Sequence, residues 1–393
     1  MNFDKLTEYL DSLHRIYGVP AADCKITQDH QVIYRHMAGY SDLENTVPLS
    51  ENTIYRLFSA TKVITATAVL QLVERGKLRL NDEVRDYLPE FDQMLVADTF
   101  KFEFPLRWPT SDDKCHYAHN TIRIIDLLTM TSGMSYDTNS KEQRAIREKS
   151  GNQASTREVV AELAKMPLVY EPRTRYSYSL GHDVLAAVVE VVSGKKFSEY
   201  LRENIFDPLG IQDFYFHWEN NKAVSDRICA MYKGVFGTDD IIPDDGELTD
   251  GFKITSHYES GGAGLAGTVD AYSLFIDALC NGGVGGNGAR ILSEESVKKF
   301  TIPYTTGQMS QDFAVSGKVG YEYGLGVRVL VDGTKSKSPV GEFGWDGAAG
   351  AYVLVDTTNH ISLFYTQHIA GFPKVYSEIH PKIRDLAYEA MGY

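Results

Sequence analysis

Four serines in this 393-residue chain stand three residues before a lysine: Ser59, Ser111, Ser193 and Ser296. A hydroxyl with an amine one helical turn away is a minimal arrangement for nucleophilic acyl transfer. The amine can take the hydroxyl proton as the oxygen attacks a carbonyl. With 26 serines and 21 lysines, chance alone supplies roughly one such pair, so context has to choose. Ser111 lies in a polar loop after Trp108-Pro109, beside Asp112 and Asp113. Ser193 precedes Gly194 at a predicted helix C-terminus, where the dipole disfavours an anion. Ser296 falls on a short polar helix. Ser59 stands where a strand-like run ends and an apolar helical run begins, so a helix N-terminus favours negative charge developing on its oxygen. Lys62 falls on the same face, inside an apolar helix where desolvation lowers an amine pKa. Taken alone, the pair also fits an N-cap serine with a snorkelling lysine. The G-x-S-x-G elbow of another large hydrolase class does not occur in the chain.

These residues need elements to hold them. Residues 1–18 read as a helix, with Leu6, Tyr9, Leu10, Leu13 and Ile16 at helical spacing. Segments 20–36 and 51–58 read as strands. The helix opened by Ser59 is apolar almost all round, which marks a buried helix, and Gly76 is its natural C-cap. From about 80 to 245 the pattern is mostly helical with long polar loops, with helices predicted over 121–134, 156–166, 181–194 and 197–206. A Gly-rich turn at 260–267 precedes helices over 269–283 and 293–301. Strand-like alternation follows at 323–330, 350–356 and 360–367, and a last helix covers 377–391. Strands near both ends with helices between predict one sheet built from both ends, with a helical lobe inserted. The expected organisation is a single unit, 1–393, with a sheet lobe from 1–80 and 250–393 and a helical lobe of about 81–249.

Composition limits the function classes. The net charge is −14 and the hydrophobic fraction 43%, typical of a globular chain and not of a disordered one. Such an acidic balance argues against a nucleic-acid partner and against anionic lipid. Cys24, Cys115, Cys229 and Cys280 are far apart, with no C-x-x-C, so no disulfide framework is expected. The N-terminus has no basic start followed by an apolar run, and no apolar stretch reaches 18 residues, so neither a signal peptide nor a membrane span is expected. A reduced, cytoplasmic protein is the expectation. Cys115, His116 and His119 raise the possibility of a metal site, but their spacing reads more simply as a polar loop. Gly261, Gly262, Gly264 and Gly267 lack the G-K-[ST] of a phosphate loop and read as tight backbone near the site.

The segment Gly39-Tyr40-Ser41-Asp42-Leu43, followed by TIYRLFSATKVITATAVLQLVERGKLRLNDEVRDYLPEF, resembles the active-site region of the serine β-lactamase and penicillin-binding-protein superfamily. It is most similar to the class C branch, with its related carboxypeptidases and family VIII carboxylesterases. LLTMTSGM resembles that family's L-L-T-H-T-S-G stretch, with Met130 replacing the usual histidine. PRTRYSYSLGHDVLAAVVEVVSG, then FDPLGI, and then GGAGLAGTVDAYSLFIDALCNGG with RILSEESV, resemble later blocks in the same order.

The resemblance implies a β-lactamase/transpeptidase-like α/β (α+β) fold, an antiparallel sheet flanked by helices plus a mainly helical lobe. It implies catalysis by Ser59, Lys62 and Tyr178, the last at the family's Y-x-N position, with Tyr176 as a rival. A tyrosine acts as base when a nearby cation stabilises its phenolate, a role open to Lys62. The family asparagine is Leu180 here, which cannot hydrogen-bond an amide side chain. For the third motif two places compete. Lys318-Val319-Gly320 has the letters, whereas Trp345-Asp346-Gly347 has the setting, ahead of a strand as in the W-x-G form of family VIII esterases. Leu180, Trp345, Asp346 and Gly347 are therefore expected at the substrate. The backbone N–H groups of Ser59 and Ala348 are expected to form the oxyanion hole. No cofactor and no metal are expected. The implied function is a serine hydrolase of small carboxylic esters. The alternatives are a β-lactamase or D-alanyl-D-alanine carboxypeptidase, and, in another class, a non-catalytic ligand-binding protein with this fold.

Overall fold

The computed structural model describes residues 1–99, 107–246 and 250–393. Its centre is a seven-stranded sheet in the order Tyr321–Tyr323, Arg328–Leu330, Phe343–Gly344, Tyr352–Asp356, Ile361–Thr366, Ala21–Gln28, Gln31–Gly39. Every neighbouring pair is antiparallel. The N-terminal strand pairs with the C-terminal one in the register Ile26↔Leu363. Strands Tyr352–Asp356 and Ile361–Thr366 are buried along their whole length, because helices cover both faces. One face carries the helices Asp4–Tyr17 and His380–Met391 through Leu6, Leu10, Leu13, Ile383 and Ala387. The other carries Val269–Cys280, where Tyr272 stacks on Phe364 with ring centroids 4.3 Å apart.

The helix Thr61–Glu74 lies deeper, and every residue from Thr61 to Leu72 is buried. Its lack of a polar face is thereby explained: it is surrounded, with Gly181–Ser193 packed along it. A small second sheet fixes the entry to this helix. Ile54–Arg56 pairs with Ala266–Thr268, which pairs in turn with Phe214–Tyr215. The Tyr272 hydroxyl donates to Ala60 O at 2.7 Å and ties the entry turn to Val269–Cys280. Among the described residues no helix is long and apolar enough to cross a membrane. The four cysteines are unpaired.

Several boundaries differ from the sequence reading. The segment 20–36, read as one strand, is a hairpin turning at Asp29 and His30, with φ of 48° and 66°. Neither turn residue is a glycine, and tertiary contacts hold both: Asp29 to His360 at 2.9 Å and His30 to Asp277 at 2.7 Å. The run at 323–330 is likewise two strands, because Gly326 at φ 78° turns the chain back. The helix expected over 121–134 is confined to Ile124–Leu128, and Met130, at φ 58°, follows it outside the helix. The helix expected from Ser59 starts at Thr61, with Phe58–Ala60 forming a 3₁₀ turn before it.

Candidate active site

Ser59 sits in that 3₁₀ turn, 8% exposed, and follows Phe58 at φ 45°. A non-glycine residue in the left-handed region costs of order 1–2 kcal/mol and persists only where its surroundings over-determine it. Here the Phe58 ring is 2% exposed and meets Phe252 edge-on at 5.6 Å. Lys62, on the first turn of the helix, is fully buried. Its Nζ donates to Ser59 Oγ at 3.2 Å and to Gly262 O at 2.8 Å. The glycine-rich turn is thus tight backbone at the site, with a carbonyl aimed at the lysine.

Tyr178 arrives from the loop ahead of Gly181–Ser193, which Ser177 N holds by donating to Met130 O at 2.8 Å. Its hydroxyl donates to Ser59 Oγ at 2.8 Å. The Lys62 ammonium lies 4.7 Å from its ring centroid. Trp345 stacks on Tyr178 with centroids 5.6 Å apart, and its Nε1–H donates to the Tyr178 oxygen at 3.0 Å. The structure therefore brings Ser59, Lys62, Tyr178 and Trp345 into one hydrogen-bonded chain. Tyr176 is elsewhere, in an aromatic cluster with Phe313 and Tyr323, where burial pushes its phenol well above the usual value.

Gly347 explains how the segment bearing Trp345 comes up to the turn that holds Ser59. A Cβ on it would fall 2.3 Å from Leu57 O, so only glycine admits this approach. The approach brings the residue before Ala348 against Leu57, two positions ahead of Ser59. Neither Ser59 N nor Ala348 N donates to a backbone acceptor among the described residues.

Two residues expected at the substrate are placed differently. Leu180 is 3% exposed and belongs to the core, at a small cleft with Met134, Leu163 and Leu168. It caps the helix at Gly181, and an apolar side chain there turns inward. Asp346 turns away from Ser59, as alternation along an extended segment requires of the neighbour of Trp345. Its carboxylate pairs with Lys318 and with Arg328 at 3.0 Å, and Lys318 followed by Arg328 hold it below the usual carboxylate range against the opposing effect of burial. The two competing third motifs consequently meet. Lys318 Nζ lies 5.2 Å from the Trp345 ring centroid, with its charge taken by Asp346.

Sequence reasoning missed three groups. Tyr136 stacks on Tyr178 at 5.1 Å, and the Lys62 ammonium lies 5.4 Å from its ring centroid. The Tyr376 hydroxyl donates to Gly347 O at 2.9 Å. Asp183 lies buried near Lys62 across Gly262. Only Asp183 had a local signal, an acid on an apolar helix. Beside the site a cavity of about 330 Å³ is lined by Arg56, Phe216, Trp218, Phe252 and Tyr258, and Phe252 also meets Tyr136 edge-on at 6.0 Å. His116 and His119 gather around Glu171 at the surface, while Cys115 turns to Asp113 O. The hydrogen bond that His116 donates to Asp98 raises the imidazole above its usual value, and Glu171 adds to this, so an Asp98–His116–Glu171 ion-pair chain accounts for the cluster.

The chain is 28% identical to protein Rv1367c of Mycobacterium tuberculosis, over 93% of this chain and 94% of that one. It is 29% identical to esterase EstB of Burkholderia gladioli, over 70% and 69% of the two chains. Its fold matches that of EstCE1, a hydrolase with promiscuous acyltransferase activity, with a TM-score of 0.77 over 98% of both chains at 23% identity. The family model named Beta-lactamase matches residues 5–388, and the chain belongs to that family.

Proposed function

We propose that the protein is a carboxylesterase-like serine hydrolase of small esters that works through an acyl-enzyme on Ser59. The observation that carries this reading is the chain of contacts Trp345 to Tyr178 to Ser59, with Lys62 bonded to the same oxygen. With Tyr178 as the phenolate, its own proton released to solvent before the ester binds, Ser59 Oγ attacks the ester carbonyl and passes its proton to Tyr178 Oη. The Lys62 ammonium and the Trp345 N–H stabilise the phenolate that makes this transfer possible. The carbonyl electron pair moves onto its oxygen, which the N–H groups of Ser59 and Ala348 receive. Tyr178 then returns the proton to the departing alkoxide. Water attacks the acyl group by the same steps in reverse order, with Tyr178 again as base.

The substrate side favours uncharged esters. Beside Ser59 the third motif offers an indole whose one N–H is already given to Tyr178. The nearest cation on that wall, Lys318, is paired with Asp346. A carboxylate such as β-lactams and D-Ala-D-Ala peptides carry would lose water there without gaining a free partner, at a cost of about 1–3 kcal/mol or more. The test is a panel of chromogenic short-chain esters set against nitrocefin. The expected result is a kcat/KM for esters several orders of magnitude above that for nitrocefin, abolished in Ser59→Ala. Efficient nitrocefin turnover would overturn the substrate class, and a Ser59→Ala variant within tenfold of wild type would overturn the nucleophile.

A further inference from the structure

Lys62 is fully buried, yet no carboxylate forms a direct ion pair with it among the described residues. A buried ammonium without a counter-charge is costly. One carboxylate faces it. Asp183, in the first turn of Gly181–Ser193, is 1% exposed. Its Oδ1 accepts from the hydroxyls of Tyr258 and Ser260, while Oδ2 has no hydrogen-bond partner. Gly262 lies between Oδ2 and the lysine. A Cβ on Gly262 would stand 2.6 Å from Asp183 Oδ2 and 3.3 Å from Lys62 Nζ. Any side chain at 262 would separate the two charges, and glycine leaves them facing one another with no side chain between.

The other titratable groups packed against this pair are His182, Tyr136, Tyr258 and Tyr178. His182, between Asp183 and the core, is kept neutral by burial and then by Lys62. Burial likewise keeps Tyr136 and Tyr258 protonated. None of these three balances the ammonium, and Tyr178 balances it only before the transfer, because it is neutral once it has taken the serine proton. The two hydroxyls and the helix N-terminus hold the Asp183 carboxylate in place from the far side.

We propose that Asp183 is the counter-charge of Lys62, a positioning residue that keeps the lysine in its ammonium form, facing Ser59 and Tyr178, while the serine proton moves. This rests on the reading of Ser59, Lys62 and Tyr178 given above. Asp183 touches no reacting atom and acts through the lysine.

The experiment compares the kcat–pH profile of Asp183→Asn with that of wild type, on one uncharged short-chain ester. Asparagine keeps the shape and an acceptor for Tyr258 and Ser260 and removes the charge. The expected result is a kcat at least tenfold lower at neutral pH with KM changed by less than about threefold. The high-pH limb is expected to move to lower pH by about one unit or more, because an ammonium without its counter-charge gives up its proton more readily. Asp183→Glu is expected to restore the limb, and Tyr258→Phe, which leaves the carboxylate, to keep it in the wild-type position. A limb that stays put in Asp183→Asn, whatever the scale of the fall, would overturn the proposal, as would a limb that moves equally in Tyr258→Phe. Should Asp183→Asn fail to fold, Asp183→Ser, smaller and equally uncharged, carries the same expectation. Ser59→Ala separates the two failures. If it is inactive while the Asp183→Asn limb is unmoved, only the counter-charge is wrong; if it is active, the reading of the site itself falls.

Discussion

Trp345 illustrates how one side chain can replace a motif and change its job. A cationic third-motif residue would face the substrate, whereas this indole spends its donor on Tyr178 and its face on stacking. Trp345→Phe keeps the wall and deletes the N–H. A hydrogen bond to a charged group is worth about 1.5–3 kcal/mol, so kcat is expected to fall about ten- to hundredfold with KM little changed. Steady-state kinetics on a short ester checks this; an unchanged kcat would show that the N–H does not assist the tyrosine. Gly347→Ala sets a methyl against a backbone oxygen that cannot move aside. The expected loss is about 1–3 kcal/mol of stability by thermal melting, with ester hydrolysis lost through displacement of Ala348 N. Residues of this kind divide into legible and illegible ones. Ser59 and Lys62 were legible because they lie three residues apart where a strand-like run gives way to a buried helix. Tyr136 and Tyr376 were not, since their roles depend on loops folded back from distant parts of the chain, and among 24 tyrosines nothing local marks them.

Elements were legible where periodicity is long and unbroken. Thr61–Glu74, Gly181–Ser193 and Val269–Cys280 lie where the apolar runs put them. The failures came at short turns that break a rule. Asp29-His30 turns a hairpin without glycine because partners on other elements hold both residues, and no local pattern encodes such partners. Leu180 was misplaced for a related reason: its motif position pointed to the substrate, but helix geometry turns it inward. At the far end of that same helix, Glu190 accepts from Phe197 N at 3.0 Å in a setting where burial raises its carboxyl to about 7. A carboxyl whose folded-state pKa exceeds the unfolded value near 4.5 favours the fold while protonated. That contribution is full below about pH 4.5 and is lost as pH rises to about 7. Glu190→Gln keeps the acceptor and cannot ionise. Its melting temperature relative to wild type is expected to rise steadily from pH 4.5 to 7.5. A difference independent of pH would show that the carboxyl titrates normally.

On the scale of the molecule, the surplus of negative charge sets which substrates arrive. A net charge of −14 repels anionic esters over a distance that salt shortens, to about 8 Å at physiological ionic strength. For an ester with an anionic acyl group, kcat/KM is expected to rise several-fold between about 10 and 300 mM salt, and for a neutral ester to stay flat. Equal responses would show that the field at the site is local. The pairing of Ala21–Gln28 with Ile361–Thr366 sets a timetable as well as a shape. At roughly 5–20 residues per second of synthesis, Leu363 leaves the ribosome roughly 20–70 s after Ile26. Through that interval the N-terminal hairpin exposes an unpaired edge, which is an invitation to foreign strands. The helix Thr61–Glu74 meanwhile exists without the strand that joins the hairpin to the segment bearing Trp345. A nascent chain released before Ile361 would already carry Ser59, Lys62, Tyr178 and Trp345, and nothing to hold its two ends in one sheet.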